Sequence, residues 1–230
     1  MSGFFMESLF FGVVISILGY ELGSFLKRKC KLAIFNPLLL AVLFVMATLS
    51  IFRIDYQAYY EGAKYLSYLL TPATVCLAIP LYQQLSLLKK NWKAILLAAL
   101  AGVVASMLSV YLLSLLFGLT HEQYVTLLPK SITTAIGIGV SQELGGVETL
   151  TVASIIITGI FGNMVAEGAC RLMRIRHPIA KGLSVGCAAH AIGTAKAMEM
   201  GEVEGAMSSL AIVISGIFTV IGASLFAQLL

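Results

Sequence analysis

The chain has 230 residues, 59% of them hydrophobic and 11% charged, with a mean hydropathy of +0.96 and a net charge of +4. That balance excludes a soluble globule and predicts an all-α polytopic membrane protein. The basic residues fall in short runs without an aromatic-basic surface, so nucleic acid is not an expected partner; Cys30, Cys76, Cys170 and Cys187 are too scattered for a disulfide framework or a metal site.

In chain order, residues 4–26 read as a retained span, because they carry Glu7 and Glu21, begin without a basic region and show no small-residue cleavage site. Residues 32–52 form a second span, opened by Asn36-Pro37 as cap and first-turn proline. Residues 65–82 are apolar but hold Pro72 and Pro80. Each proline removes a helix hydrogen bond and frees a carbonyl, so Thr71 and Thr74 around Pro72 are either substrate contacts or parts of a plain kink. Residues 94–119, 147–173 and 206–230 are long enough to cross the ~30 Å hydrocarbon core. Between them, residues 127–144 (Pro129, Gly137, Gly139) and 178–200 (Gly182, Gly186, His190, Gly193) are punctuated, giving about six to eight membrane segments in one domain of residues 1–230.

Lys27, Arg28, Lys29 and Lys31, then Lys89, Lys90 and Lys93, then Arg171, Arg174, Arg176 and Lys181 mark three loops that should face the cytoplasm. With the N-terminus outside, the first two fall correctly. The third does so only if residues 127–144 dip into the membrane and return, so that residues 147–173 cross inward. Residues 178–200 then dip in from the opposite side.

The two punctuated segments are also alike. AIGIGVSQELGGVE (residues 135–148) and AIGTAKAMEMGEVE (191–204) are identical at seven of fourteen positions, and TGIF at 158–161 recurs as SGIF at 215–218 after a one-residue offset. Repeat copies are therefore expected at about 127–173 and 178–230, in opposite orientation, a common build of secondary transporters with interrupted helices at the binding site.

Pro129, Lys130, Ser131, Thr133 and Thr134 look like a polar helix start whose free amides and hydroxyls suit a carboxylate, with Lys130 either supplying charge or snorkelling from an ordinary cap. In the second copy His190 aligns with Thr134, followed by Gly193 and Thr194. An imidazole at membrane depth is a candidate proton carrier, or a structural donor to a carbonyl. Glu143 and Glu199 are the repeated acids, candidates for proton or ion coupling or for pairing with Lys130 and Lys196; Glu148 and Glu204 read rather as solvated turns. No short motif of an intramembrane protease, hydrolase or nucleotide enzyme is present, so no enzyme activity, cofactor or metal is expected.

FNPLLLAVL from Phe35, LLTPATVCLAIPLY from Leu69, LLPKSITTAIG from Leu127, GGVETLT from Gly145 and HAIGTAKAMEMGEVEGAMSSLA from His190 together resemble the LrgB/CidB family of bacterial membrane proteins over nearly the whole chain. Two departures stand out: Ala135 follows the threonine pair where family members often have proline, and Cys187-Ala188-Ala189 precede His190 where they tend to carry serines. The resemblance implies a multi-pass protein of the bacterial cytoplasmic membrane that works with a small LrgA/CidA-type partner. It implies two functions: transport of small monocarboxylates of the pyruvate, glycolate or glycerate type, as in the plastidial translocator whose C-terminal part looks similar, or antiholin-like control of murein hydrolases and lysis. Transport, proton-coupled, is the preferred expectation, because a holin-like assembly does not need paired interrupted helices; a homo-oligomer is compatible with either.

Overall fold

The structure is a computed structural model and describes residues 10–30 and 35–230, whose regular elements are all helices, with no strand among them. Residues 4–9 of the expected first span, Glu7 included, and Lys31 with residues 32–34 lie outside the described residues. Among the described residues, four helical runs are long and apolar enough to cross a membrane, Tyr56–Gln83, Leu85–Phe117, Glu148–Leu172 and Glu202–Leu229, and Pro37–Phe52 is a shorter apolar helix. The chain divides into two compact units, Met1–Cys76 and Leu77–Leu230.

In the first unit, α1 (Phe11–Cys30) packs on α2 (Pro37–Phe52) and α3 (Tyr56–Ser67), with the short α4 (Leu70–Cys76) following. Asn36 caps α2 by accepting from Leu38 N and Leu39 N at 2.9 and 3.2 Å, with Pro37 in the first turn. The face of α1 that packs is its glycine face: a Cβ on Gly23 would lie 2.9 Å from Pro37 Cα, and one on Gly12 would lie 2.3 Å from both Tyr59 O and Ala63 N. Close approach of backbones through small residues is how membrane helices associate without a hydrophobic driving force. Gly12→Val should therefore separate α1 from α3 at a cost of about 2 kcal/mol. A detergent melting curve unchanged by this substitution would show that the glycine contact does not hold the unit together.

The second unit opens with α5 (Ala78–Gln83) and then α6 (Leu85–Phe117). Helix α6 starts nine residues before the expected span, so Lys89, Lys90 and Lys93 sit on helix rather than in a loop. The helix continues through them because Asn91, out of helical conformation at φ −112° and ψ 15°, turns its side chain back to Leu87 O (2.9 Å) and bends the helix without ending it.

Residues 127–144 are not one punctuated helix. They comprise the end of α7 (His121–Leu127), a non-helical stretch at 128–133, and α8 (Thr134–Glu143). The expected helix start at Pro129 is corrected to Thr134, with Thr133 as the N-cap residue in extended conformation. After α8 come α9 (Glu148–Leu172), α10 (Pro178–Met200) and α11 (Glu202–Phe226). Pro178 opens α10, and the helix breaks at Ala189 (φ −132°, ψ 16°) and His190 (φ 42°, ψ −140°).

Packing partners give the direction of each piece. The first half of α10 runs parallel to α11, with Gly182 against Glu204 and Gly186 against Ser208. The second half runs back, with Thr194 against Ser208 and Met198 against Gly205. Helix α10 is thus a hairpin that reverses at Ala189–His190. In the same way α7 and α8 fold back on each other, Gly137 lying near Pro129 O and Gly146 near Thr126. Both segments that the loop charges led us to expect to double back do so.

Candidate functional site

Helix α9 serves as a ruler for both hairpins. Helix α8 lies antiparallel to it, pairing Ser141 with Thr151 (Oγ to Oγ, 2.7 Å) and Gly137 with Ile155. The second half of α10 lies parallel to it, through His190 Nε2 to Ile155 O (3.0 Å), Asn163 Nδ2 donating to Ile192 O (2.8 Å), and the Lys196–Glu167 ion pair (3.5 Å). Two hairpins entering from opposite ends therefore meet at Ile155. Each presents a helix N-terminus there, that of α8 at Thr134 and that of the second half of α10 just after His190.

The contacts of the two copies correspond. Gly137 folds back on Pro129 O and Gly193 on Val185 O, pairs displaced by the same 56 residues in the sequence. The spans also exchange partners: a Cβ on Gly159, in the first copy's span, would meet Ile192 of the second hairpin at 2.9 Å, and one on Gly216, in the second copy's span, would meet Ile136 of the first at 3.1 Å. These are the glycines of the weak TGIF/SGIF match and the isoleucines of the AIG match.

His190 is 3% exposed and wedged into the notch that Gly159 leaves, where a Cβ would come within 2.6 Å of its Cε1. Its positive φ is a conformation that costs a non-glycine residue roughly 1–3 kcal/mol and persists only where surroundings over-determine it. Those surroundings are the Ile155 carbonyl on the ring and Thr194, whose hydroxyl bonds His190 O (2.9 Å) and meets Ser208 Oγ (2.7 Å).

Lys130 is half-buried at the tip of the first hairpin, its Nζ donating to Ser131 Oγ (3.1 Å) and to Ser106 Oγ (3.4 Å) on α6. Thr133 and Thr134 flank the tip, half-buried, and the Thr133 side chain makes no capping bond to α8. Lys130, Ser131, Thr133 and Thr134 are thus local to one tip, His190 and Gly193 to the other, with the Thr194 hydroxyl engaged inside the hairpin wall.

The remaining candidates lie elsewhere. Glu143 and Glu199 are exposed at the returning ends of their hairpins, nine residues along α8 and α10 from Thr134 and His190, roughly 14 Å at 1.5 Å per residue. Glu199 pairs with Lys196 at 3.0 Å. Glu204, read as a solvated turn, is instead 8% exposed with Lys181 Nζ at 3.9 Å, because Gly201 and Gly182 let the chain close over it. Thr71 is exposed on α4 in the first unit, and the side chain of Thr74 lies outside the described residues. Among the described residues no group of His, Cys, Asp or Glu could hold a metal ion.

The LrgB-like family model matches residues 16–229. Proteins called "Antiholin-like protein LrgB" from Bacillus mycoides (strain KBAB4), Bacillus cereus (strain B4264) and Bacillus anthracis (strain CDC 684 / NRRL 3495) are each 36% identical over 218 residues, covering 94% of this chain and 95% of theirs. The chain belongs to the LrgB-like family. No solved structure matches it. Several apolar helices and this membership make it a multi-pass membrane protein with antiholin-like relatives.

Of three further residues at the candidate site, the sequence marked one. Ser106 is one of four serines in the apolar α6, with Ser86, Ser109 and Ser114, and nothing in the sequence singles it out. Gly159 and Asn163 support the second tip from α9; the TGIF/SGIF match pointed to the first, and nothing pointed to the second.

Proposed function

We propose that this chain is a secondary carrier of small monocarboxylates of the pyruvate, glycolate or glycerate type, working in the cytoplasmic membrane with a small LrgA/CidA-type partner. The observation that carries this reading is the convergence of two helix N-termini on Ile155 from opposed hairpins. Helix N-termini carry partial positive charge and free N–H groups, so two of them facing one point favour an anion there. Non-helical backbone at membrane depth is tolerated where it is buried in protein or lines a cavity, which fits both tips. An anion that travels with a proton crosses without net charge, and His190 is the titratable group at the meeting point. The exposure of Glu143 and Glu199 at the hairpin ends supports a role in proton exchange with solvent rather than in contact with the cargo.

The name of the Bacillus relatives supports a second reading more directly than it supports transport: an antiholin-like regulator of murein hydrolase activity and lysis. The two are compatible if carboxylate flux acts on lysis through membrane energetics. Uptake of labelled pyruvate and glycolate into proteoliposomes, with the chain alone and with its LrgA-type partner, separates them. Saturable uptake is the expected result. Unsaturable leakage of small molecules of every charge would replace the carrier with a pore-forming assembly.

A further inference from the structure

A groove of about 770 Å³ runs between α6 and the first half of α10. At one end it is bounded by Asn91 and His177, next to the basic segments, and at the other by Ser106, Lys130 and Ser131. Its walls between them are small or apolar, including Ala98, Gly102, Leu183 and Cys187. Lys130 is the sole lysine or arginine among its described lining residues, and no carboxylate lines it. No ion pair joins Lys130 to a carboxylate among the described residues; its two partners are hydroxyls that themselves lie 3.0 Å apart.

We propose that Ser106, Lys130 and Ser131 form the seat for one carboxylate of a short monocarboxylic acid that enters along this groove from the end bearing Asn91 and His177. The proposal rests on the carrier reading and adds a seat ahead of the meeting point at Ile155, since Ile155, Thr134 and His190 do not line the groove. A half-buried ammonium without a counter-ion is costly, and a bound carboxylate offsets that cost. An ammonium has three donors, of which two reach the hydroxyls, and each hydroxyl can rotate to donate to the same carboxylate. Bonds of this charged kind are about twice as strong as neutral ones. Beyond Lys130 the seat offers a second carboxylate no cation, His177 standing at the opposite end of the groove, so short dicarboxylates are rejected, and the small-residue walls accept a short apolar body.

The test uses the full chain in proteoliposomes, with labelled pyruvate as the probe. Lys130→Gln should raise the KM for pyruvate roughly ten- to hundredfold, and Ser106→Ala about two- to tenfold. Because Lys130→Gln could fail to fold, Ala98→Cys in a chain otherwise free of cysteine gives an independent measure. Labelling of that cysteine by a charged thiol reagent should slow with pyruvate and not with succinate, and the protection should vanish in the Lys130→Gln variant. Saturable uptake unchanged in both Ser106→Ala and Lys130→Gln would overturn the seat and leave the carrier standing. Lys130-dependent protection without any uptake would keep the seat and remove the carrier. Protection by octanoate but not by pyruvate would overturn the short-acid specificity, and absence of protection by any acid would overturn the site.

Discussion

Replacing Gly159 by valine should collapse the stability of the second unit and, on the carrier reading proposed above, pyruvate uptake with it, while the same change at Gly168 should be nearly silent. A Cβ at 159 would stand 2.6 Å from His190 Cε1, 2.7 Å from its Nε2 and 2.9 Å from Ile192 Cδ1, whereas one at 168 meets nothing within 4 Å. The imidazole cannot slide aside without breaking its bond to Ile155 O, so overpacking here adds a lost hydrogen bond to steric strain. Overpacking alone costs about 1–3 kcal/mol, and the bond about 1 kcal/mol more. Gly216→Val should fall between the two, since the only atom met there is the flexible tip of Ile136, at 3.1 Å. Thermal melts of the three variants in one detergent decide the order. Equal melting temperatures for Gly159→Val and Gly168→Val would mean that the hairpin does not dock on α9 as described.

The second large effect is at His190. On the carrier reading, both His190→Ala and His190→Gly should abolish proton-coupled uptake, yet they should differ in stability. Alanine keeps the unfavourable φ of 42° and loses the ring; glycine also loses the ring but adopts that φ at no steric cost. The glycine variant should therefore be more stable than the alanine variant by about 1 kcal/mol, although a glycine ordinarily weakens a helix relative to alanine. Denaturant titration of the two proteins measures the difference. An alanine variant as stable as the glycine one would show that the break at 189–190 stores no strain, and pH-dependent uptake persisting in either would take His190 out of the coupling.

Much of this architecture was legible because bilayer physics is restrictive. The clustering of Arg171, Arg174 and Arg176 after one span called for residues 127–144 to double back, and the approach of Gly137 to Pro129 O and of Gly146 to Thr126 shows the chain reversing there. The shared AIG and glycine spacing marked two equivalent hairpins, since glycine is needed wherever two backbones nearly touch. Other features were hidden. The helix start after Pro129 was placed too early, because a polar cluster reads the same whether it caps a helix or forms the non-helical tip before it. Glu204 looked like a turn residue, and its burial depends on Gly182 of another helix segment. Ser106 carries no local signal at all; it matters only because α6 lies beside the first tip.

The sequence by itself determined that the chain is a helical membrane protein, that its basic residues gather in three short segments, and that two glycine-punctuated segments share one pattern. Those properties follow from composition, charge position and the need to satisfy backbone groups in hydrocarbon, and each is local to a segment. Only the tertiary structure decided that the two tips meet at Ile155, that each span's glycine receives the other copy's isoleucine, and that a serine of α6 joins Lys130. Contacts between elements far apart in the chain are set by packing in three dimensions, and no one-dimensional period records them.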